Sequence, residues 1–246
     1  MNLGIIDSGL GGISILKTIR ENNPNINILC LADQGKGPYG NQSSSAIIEY
    51  TADNILWMEK QGVKRILLAC NTSSSVALNA MQEQFPNLII EGIIDLTAGQ
   101  LKDGKEKAVL VLATSATVES AAYVKSLKEY CPSLKVYQQA LPKLVDFLEG
   151  QEKKAVIDGY LTLLLQPYRG AVDAVILGCT HYILVEKKLK SLLNCRIYNS
   201  NNAIATCDYG QGQGITKLYT TKDADTLKSM IKTLYQLDLE VNSIQI

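Results

Sequence analysis

Val63-Lys64-Arg65-Ile66-Leu67-Leu68-Ala69-Cys70-Asn71-Thr72 and Val172-Asp173-Ala174-Val175-Ile176-Leu177-Gly178-Cys179-Thr180-His181 are two versions of one pattern, 109 residues apart. In each, a short apolar run ends in a cysteine followed at once by polar residues. Runs of this length without polar alternation read as strands buried on both faces, which is the condition of a parallel sheet. Similar runs at 3–6, 26–32, 88–94, 109–113, 136–139 and 196–198 join those at 65–69 and 174–177. Between them the spacing turns helical. Residues 45–60 place Ile47, Ile48, Ile55 and Met58 on one face, and 155–165 do the same with Val156, Tyr160, Leu163 and Leu164. Strand, helix, strand in alternation predicts an α/β fold with mostly parallel sheets covered on both faces.

A second echo reinforces the first. Leu3-Gly4-Ile5-Ile6-Asp7-Ser8-Gly9 aligns with Leu110-Val111-Leu112-Ala113-Thr114-Ser115-Ala116 at an offset of 107, close to the 109 of the cysteine pair. Two matches at nearly one offset predict two pseudo-symmetric three-layer halves. Polar stretches at 99–107 and 199–214 read as the crossings between them. The expected division is residues 1–98 plus 208–246 in one α/β domain and 99–207 in the other, with a cleft between. Gly210-Gln211-Gly212-Gln213-Gly214 reads as a flexible return loop, and Trp57 and Met58 as core.

Composition excludes several classes of function. The 246 residues carry 24 Lys+Arg against 24 Asp+Glu, with no basic run of the kind that phosphate backbones require, so no nucleic-acid partner is expected. No apolar run approaches the roughly 18 to 20 residues that span a bilayer. The N-terminus passes from Met1 through apolar 3–6 directly into Asp7, without a positive n-region, so a cytoplasmic location is expected. The six cysteines form no CxxC, and a single histidine, His181, cannot supply a multi-imidazole metal site; no metal is expected. Asp7 to Gly12 superficially suggests a dinucleotide-binding turn, but Ser14 stands where the third glycine belongs.

The remaining chemistry lies in Cys70 and Cys179, each at the carboxyl end of a predicted strand, where α/β sheets bind ligands. Two thiols opposed across a cleft suit one task. One removes a proton from a carbon and the other returns a proton to the opposite face, inverting the centre. An ordinary thiol pKa of about 8.5 lies near enough to neutrality for one cysteine to act as base and the other as acid. Asp7 and His181 then become the natural proton partners of the two thiols.

The segments Asp7-Ser8-Gly9-Leu10-Gly11-Gly12, Pro38-Tyr39-Gly40, Ala69-Cys70-Asn71-Thr72-Ser73-Ser74, Ala113-Thr114 through Thr117-Val118-Glu119-Ser120, and Gly178-Cys179-Thr180-His181-Tyr182 resemble the motif set of bacterial glutamate racemases, in order and spacing, from residue 3 to about 200. The resemblance implies a cofactor-independent isomerase that interconverts L- and D-glutamate and supplies D-glutamate for peptidoglycan and cell-wall biosynthesis. It implies that Cys70 takes the α-proton of the D-enantiomer and Cys179 that of the L-enantiomer, with Asp7 and His181 as acid/base partners. Substrate contacts would come from Ser8, Pro38, Tyr39, Gly40, Asn71, Thr72, Thr117 and Thr180, and the assembly would be a homodimer. The chain departs from the usual pattern at Leu141, Ile183, Asn199-Ser200 and Gly35-Lys36-Gly37, none of which removes an acid or base.

Two alternatives follow from the same residues. A racemase of the same superfamily acting on aspartate or another amino acid would keep all four acid/base groups. A non-catalytic solute-binding or regulatory module would keep the cleft but has no need of paired cysteines with an acid and a histidine.

Overall fold

The computed structural model describes residues 2–246; Met1 lies outside them. The chain begins β1 (Leu3–Asp7), α1 (Gly12–Asn22), β2 (Ile28–Ala32), α2 (Ser44–Lys60), β3 (Arg65–Leu68), α3 (Asn71–Gln84), β4 (Ile89–Gly92) and α4 (Ile93–Gly99). A second series follows: β5 (Ala108–Ala113), α5 (Ser115–Ser120), α6 (Ala122–Tyr130), β6 (Lys135–Ala140), α7 (Leu144–Glu149), α8 (Lys154–Leu165), β7 (Ala174–Gly178), α9 (Glu186–Leu193) and β8 (Arg196–Asn199). The chain ends with α10 (Ser200–Ile204), β9 (Thr216–Thr220), α11 (Ala224–Tyr235) and β10 (Val241–Ser243).

A six-stranded sheet in the order β10-β9-β2-β1-β3-β4 and a four-stranded sheet in the order β6-β5-β7-β8 hold these strands, every pair parallel. The order β2-β1-β3-β4 repeats in β6-β5-β7-β8, so the echoes in the sequence are echoes of position. β1 and β5 occupy the same place in their sheets, as do β3 and β7, the two strands that lead to the cysteines.

The strands form where the sequence is apolar throughout. All five residues of β1, β2 and β7 are buried, as two covered faces require. Each fully buried Leu or Ile contributes roughly 1.5–3 kcal/mol through removal from water. The cluster that contains Leu3, Ile5 and Leu67 continues without interruption through Ile93, Val109, Val111, Tyr123 and Ile204, so the two sheets share one apolar seam. Side-chain caps start several helices: Ser43 accepts from the Ala46 N–H, Thr114 from Thr117, Asn199 from Asn202 and Asp223 from Thr226. α2 stops at Gly62, whose φ of +77° only glycine adopts freely.

Four expectations are revised. The run 88–94 is not one strand, because the chain turns helical at Ile93 after only four extended residues. β9 and β10 extend the first sheet beyond the strands read from periodicity. The glycine-rich return segment is tied down. Asn27 Oδ1 accepts from the N–H of Gln213 at 2.9 Å and of Ile215 at 3.1 Å, and Asn2 Nδ2 donates to the Gln211 carbonyl at 3.0 Å. Met58 is fully buried, whereas Trp57 is only half-buried and packs edge-on against Tyr219 at 5.2 Å.

Candidate active site

The carboxyl ends of β1 and β3 from one sheet and of β5 and β7 from the other converge on a narrow cavity lined by Ser8, Pro38, Tyr39, Gly40, Cys70, Asn71, Thr72, Thr114, Val145, Cys179, Thr180 and His181. Both cysteines therefore face the same space.

Cys70 is placed by the end of β3. The N–H groups of Ala69 and Cys70 both donate to the Ile6 carbonyl of β1, and Cys70 then caps α3. Its sulfur lies 3.3 Å from Ser8 Oγ. Burial, reinforced by the nearby Asp7 carboxylate, pushes the thiol pKa up; the Ser8 hydroxyl and the Ser73 N–H oppose that shift without cancelling it. Cys70 thus holds its proton.

Cys179 ends β7 and opens a 3-10 turn, Thr180–Val185, that brings His181 back beside it with Nδ1 3.9 Å from the sulfur. The other ring nitrogen of His181 lies 2.8 Å from Glu149 Oε1. Burial works against the imidazolium, but the Cys179 sulfur and the Glu149 carboxylate outweigh it and hold the His181 pKa well above 6.5. For Glu149, burial is likewise outweighed by the bond to His181, and its pKa falls below 4.5. Glu149 also accepts from the Leu10 N–H at 3.4 Å, so a residue of the second series reaches across to the turn after β1.

Asp7 ends β1 and stands behind the cavity wall. Its carboxylate accepts from the Gly9 N–H at 2.9 Å and from Thr180 Oγ1 at 3.1 Å. Burial raises its pKa although His181 pulls the other way. The turn that follows needs glycine for contact reasons. A Cβ on Gly11 would come within 2.1 Å of Thr180 Oγ1 and 2.7 Å of His181 Nδ1, and one on Gly12 within 2.5 Å of Asp7 Cβ.

Hydroxyls and amides line the rest. Thr72 and Thr114 hydroxyls meet at 2.9 Å across the two halves, and Thr114 meets Thr117 at 3.0 Å. Thr117 is fully buried behind them and reaches the cavity through these partners. Gly40 packs against Thr114, and the Tyr39 hydroxyl donates to the buried Asp33, which also accepts from Asn54 at 3.1 Å and Thr221 at 2.5 Å. All the residues singled out in the sequence gather at this one place, Asp7 and Thr117 in the layer behind the surface. Sequence reasoning missed Glu149, Asp33, Val145 and the lining role of Thr114. One signal for Glu149 existed: it is the last residue of α7, where the helix dipole disfavours a carboxylate, so it needed a compensating partner.

Two of the departures from the motif set have structural uses. Leu141 is fully buried and its carbonyl accepts from the Tyr182 hydroxyl, while Asn199 caps α10.

A family model described as Asp/Glu/Hydantoin racemase matches residues 18–207. The chain is 33% identical to the glutamate racemase of Aquifex aeolicus over 250 residues, covering 98% of this chain and 96% of that protein. The crystal structure of a glutamate racemase isoform from Bacillus anthracis superimposes with a TM-score of 0.91 at 25% identity, covering 99% and 97% of the two chains. The glutamate racemase structure from Aquifex pyrophilus gives 0.84 at 30% identity, with 98% and 97% covered. With two sheets of like order presenting paired cysteines to one cavity, and relatives that match it almost end to end, the chain belongs to the Asp/Glu/Hydantoin racemase family.

Proposed function

We propose that the protein is a glutamate racemase that inverts the α-carbon of glutamate by a two-base proton transfer between Cys70 and Cys179. The observation that carries this reading is that both thiols line one cavity and each has a different proton environment. Cys70 is held as a thiol by burial and by Asp7. Cys179 faces an imidazolium that is itself held charged by Glu149. In the L-to-D direction Cys179, beside His181, takes the α-proton from one face of the carbon, and the Cys70 thiol delivers its own proton to the other. The product state then has a Cys179 thiol and a Cys70 thiolate. In the reverse direction Cys70 is the base, and Asp7, with its raised pKa, is placed to exchange protons with it.

An α-proton next to a carboxylate is very weakly acidic, so the carbanion-like charge must be met by preorganised donors in a dry site. Ser8, Asn71, Thr72, Thr180 and the backbone of the Pro38-Tyr39-Gly40 turn provide such donors around the cavity. The narrowness of the cavity supports a cycle in which the halves, residues 1–98 with 208–246 and residues 99–207, part to admit substrate and close to exclude water. The same reading makes the protein a cytoplasmic homodimer that supplies D-glutamate for peptidoglycan.

The test is a chiral assay of the purified protein with L-glutamate, D-glutamate and L-aspartate, without pyridoxal phosphate or added metal. Loss of optical activity with both glutamate enantiomers supports the proposal. Loss with aspartate alone keeps the chemistry and changes the substrate, and no loss with any amino acid rejects catalysis in favour of a binding module.

A further inference from the structure

Tyr123 stands at a junction that the cysteine chemistry leaves unused. It is fully buried on α6, the helix that begins just after Ala121 takes a left-handed backbone with φ of 54°. Its hydroxyl donates to Asn71 Oδ1 at 2.6 Å, and Asn71 directly follows Cys70. Its ring lies against the backbone that leads into Cys179: a Cβ on Gly178 would meet Tyr123 Cε2 at 2.9 Å. One side chain therefore touches the neighbours of both cysteines, one in each series of the chain.

The bond to Asn71 has a chemical consequence. Asn71 is 2% exposed and lines the cavity, and its Nδ2 has no hydrogen-bond partner among the described residues. A buried amide with an orphaned N–H pair is costly unless something else accepts from it. By occupying Oδ1 as a donor, the tyrosine fixes which end of the amide is committed to the protein and leaves the N–H end free. On the oxygen side of the tyrosine stand the hydroxyls of Thr97, in α4, and Ser200, at the start of α10, which are 3.0 Å from one another. Thr97 lies in the last helix of the first series and Ser200 at the start of the segment that returns from the second. Burial keeps the phenol protonated, so it remains a donor.

We infer that Tyr123 is a positioning residue for the reaction, holding the Asn71 amide so that its Nδ2 donates to a carboxylate oxygen of the substrate while its ring gauges the approach of the Cys179 turn. The inference rests on the racemase reading of the cavity. It adds a group that touches no substrate and acts through Asn71.

The experiment compares Tyr123→Phe, Asn71→Ala and the double variant by optical rotation with each glutamate enantiomer, alongside thermal melting. Tyr123→Phe keeps the ring and its packing, so the protein stays folded. With the amide free to rotate, KM rises about fivefold or more for both enantiomers, the size expected for loss of one hydrogen bond, and kcat changes less than KM. In the Asn71→Ala background the same substitution has no further effect on KM. Wild-type KM in Tyr123→Phe, or an effect that multiplies with that of Asn71→Ala, overturns the inference. A wild-type protein that leaves both glutamate enantiomers unchanged counts instead against the proposed function, and is read in the same assay.

Discussion

Thr180 Oγ1 donates to Asp7 Oδ2 at 3.1 Å, so the carboxylate at the end of β1 is held by the residue that follows Cys179. Glu149 makes the complementary link, bonding His181 beside Cys179 and the Leu10 N–H beyond β1. Each wall of the cavity is thus bonded to a group from the other sheet's series, Asp7 to Thr180 and Leu10 to Glu149.

Gly11→Ala tests that tie. The new methyl group would meet Thr180 Oγ1 at 2.1 Å and His181 Nδ1 at 2.7 Å, so the two turns must separate. A displacement of about 1 Å at an acid/base pair costs on the order of 100-fold in rate. The variant should melt within a few degrees of the parent, by a rough allowance for a seam-confined change, while kcat/KM falls by about that factor. Near-parental activity would show that the Gly11 contact does not set the site.

Glu149→Gln removes the charge that holds His181 protonated. The His181 pKa is raised in the folded protein, so its contribution to stability is present below 6.5 and fades as pH rises through the folded value. Glu149 is depressed, so its contribution is present above 4.5 and is lost as pH falls through the folded value. The pair is therefore intact between those limits. In the variant the alkaline limb of the pH–rate profile should move to lower pH, by about one unit for loss of one neighbouring charge. Because enantiomers have equal free energy, kcat/KM must fall equally in both directions. An unmoved limb would remove Glu149 from the proton circuit.

Asp33 tests the support of the Tyr39 turn. Its buried carboxylate accepts from Tyr39, Asn54 and Thr221. Asp33→Ala strands the buried Tyr39 hydroxyl and takes one acceptor each from Asn54, which keeps the Tyr39 oxygen at 3.0 Å, and from the half-buried Thr221, and a loss of about 2 kcal/mol or more is expected. Denaturant unfolding measures it; a loss under about 1 kcal/mol would mean that the network is replaced by water.

Cys70→Ala and Cys179→Ala should each abolish racemisation while leaving the fold intact, since the alanine methyl fits wherever the cysteine Cβ did. Positioned acid/base groups contribute roughly 10²- to 10⁴-fold each. Full activity in either variant, measured by polarimetry, would end the two-base account.

The sequence made much of this legible because its informative residues lie beside one another in the chain. Cys179 and His181 are two apart, Cys70 and Asn71 adjacent, and the apolar runs that carry them are buried on both faces, so periodicity and motif agree. Contacts that depend on folding were hidden. Glu149 meets His181 from 32 positions away in the chain, at the end of a short helix whose Leu-Val-Asp-Phe-Leu-Glu pattern is that of an ordinary surface turn. β9 escaped because Thr216-Lys217-Leu218-Tyr219-Thr220 holds only two apolar residues, side by side, near the margin of the sheet, and β10 because three residues are too few to show a period. The glycine-rich return segment is ordered by Asn2, Asn25 and Asn27, and distant partners of that kind leave no local mark.

The most direct measurement of the central claim is the fate of the α-hydrogen in D₂O. Starting from unlabelled L-glutamate, the two-base arrangement predicts that each molecule of D-glutamate formed in the first few per cent of reaction (roughly, the initial-rate window) carries one solvent deuterium, delivered by Cys70, while the remaining L-glutamate stays unlabelled. D-glutamate that retains the substrate's own hydrogen, returned by the base that removed it, would contradict the account.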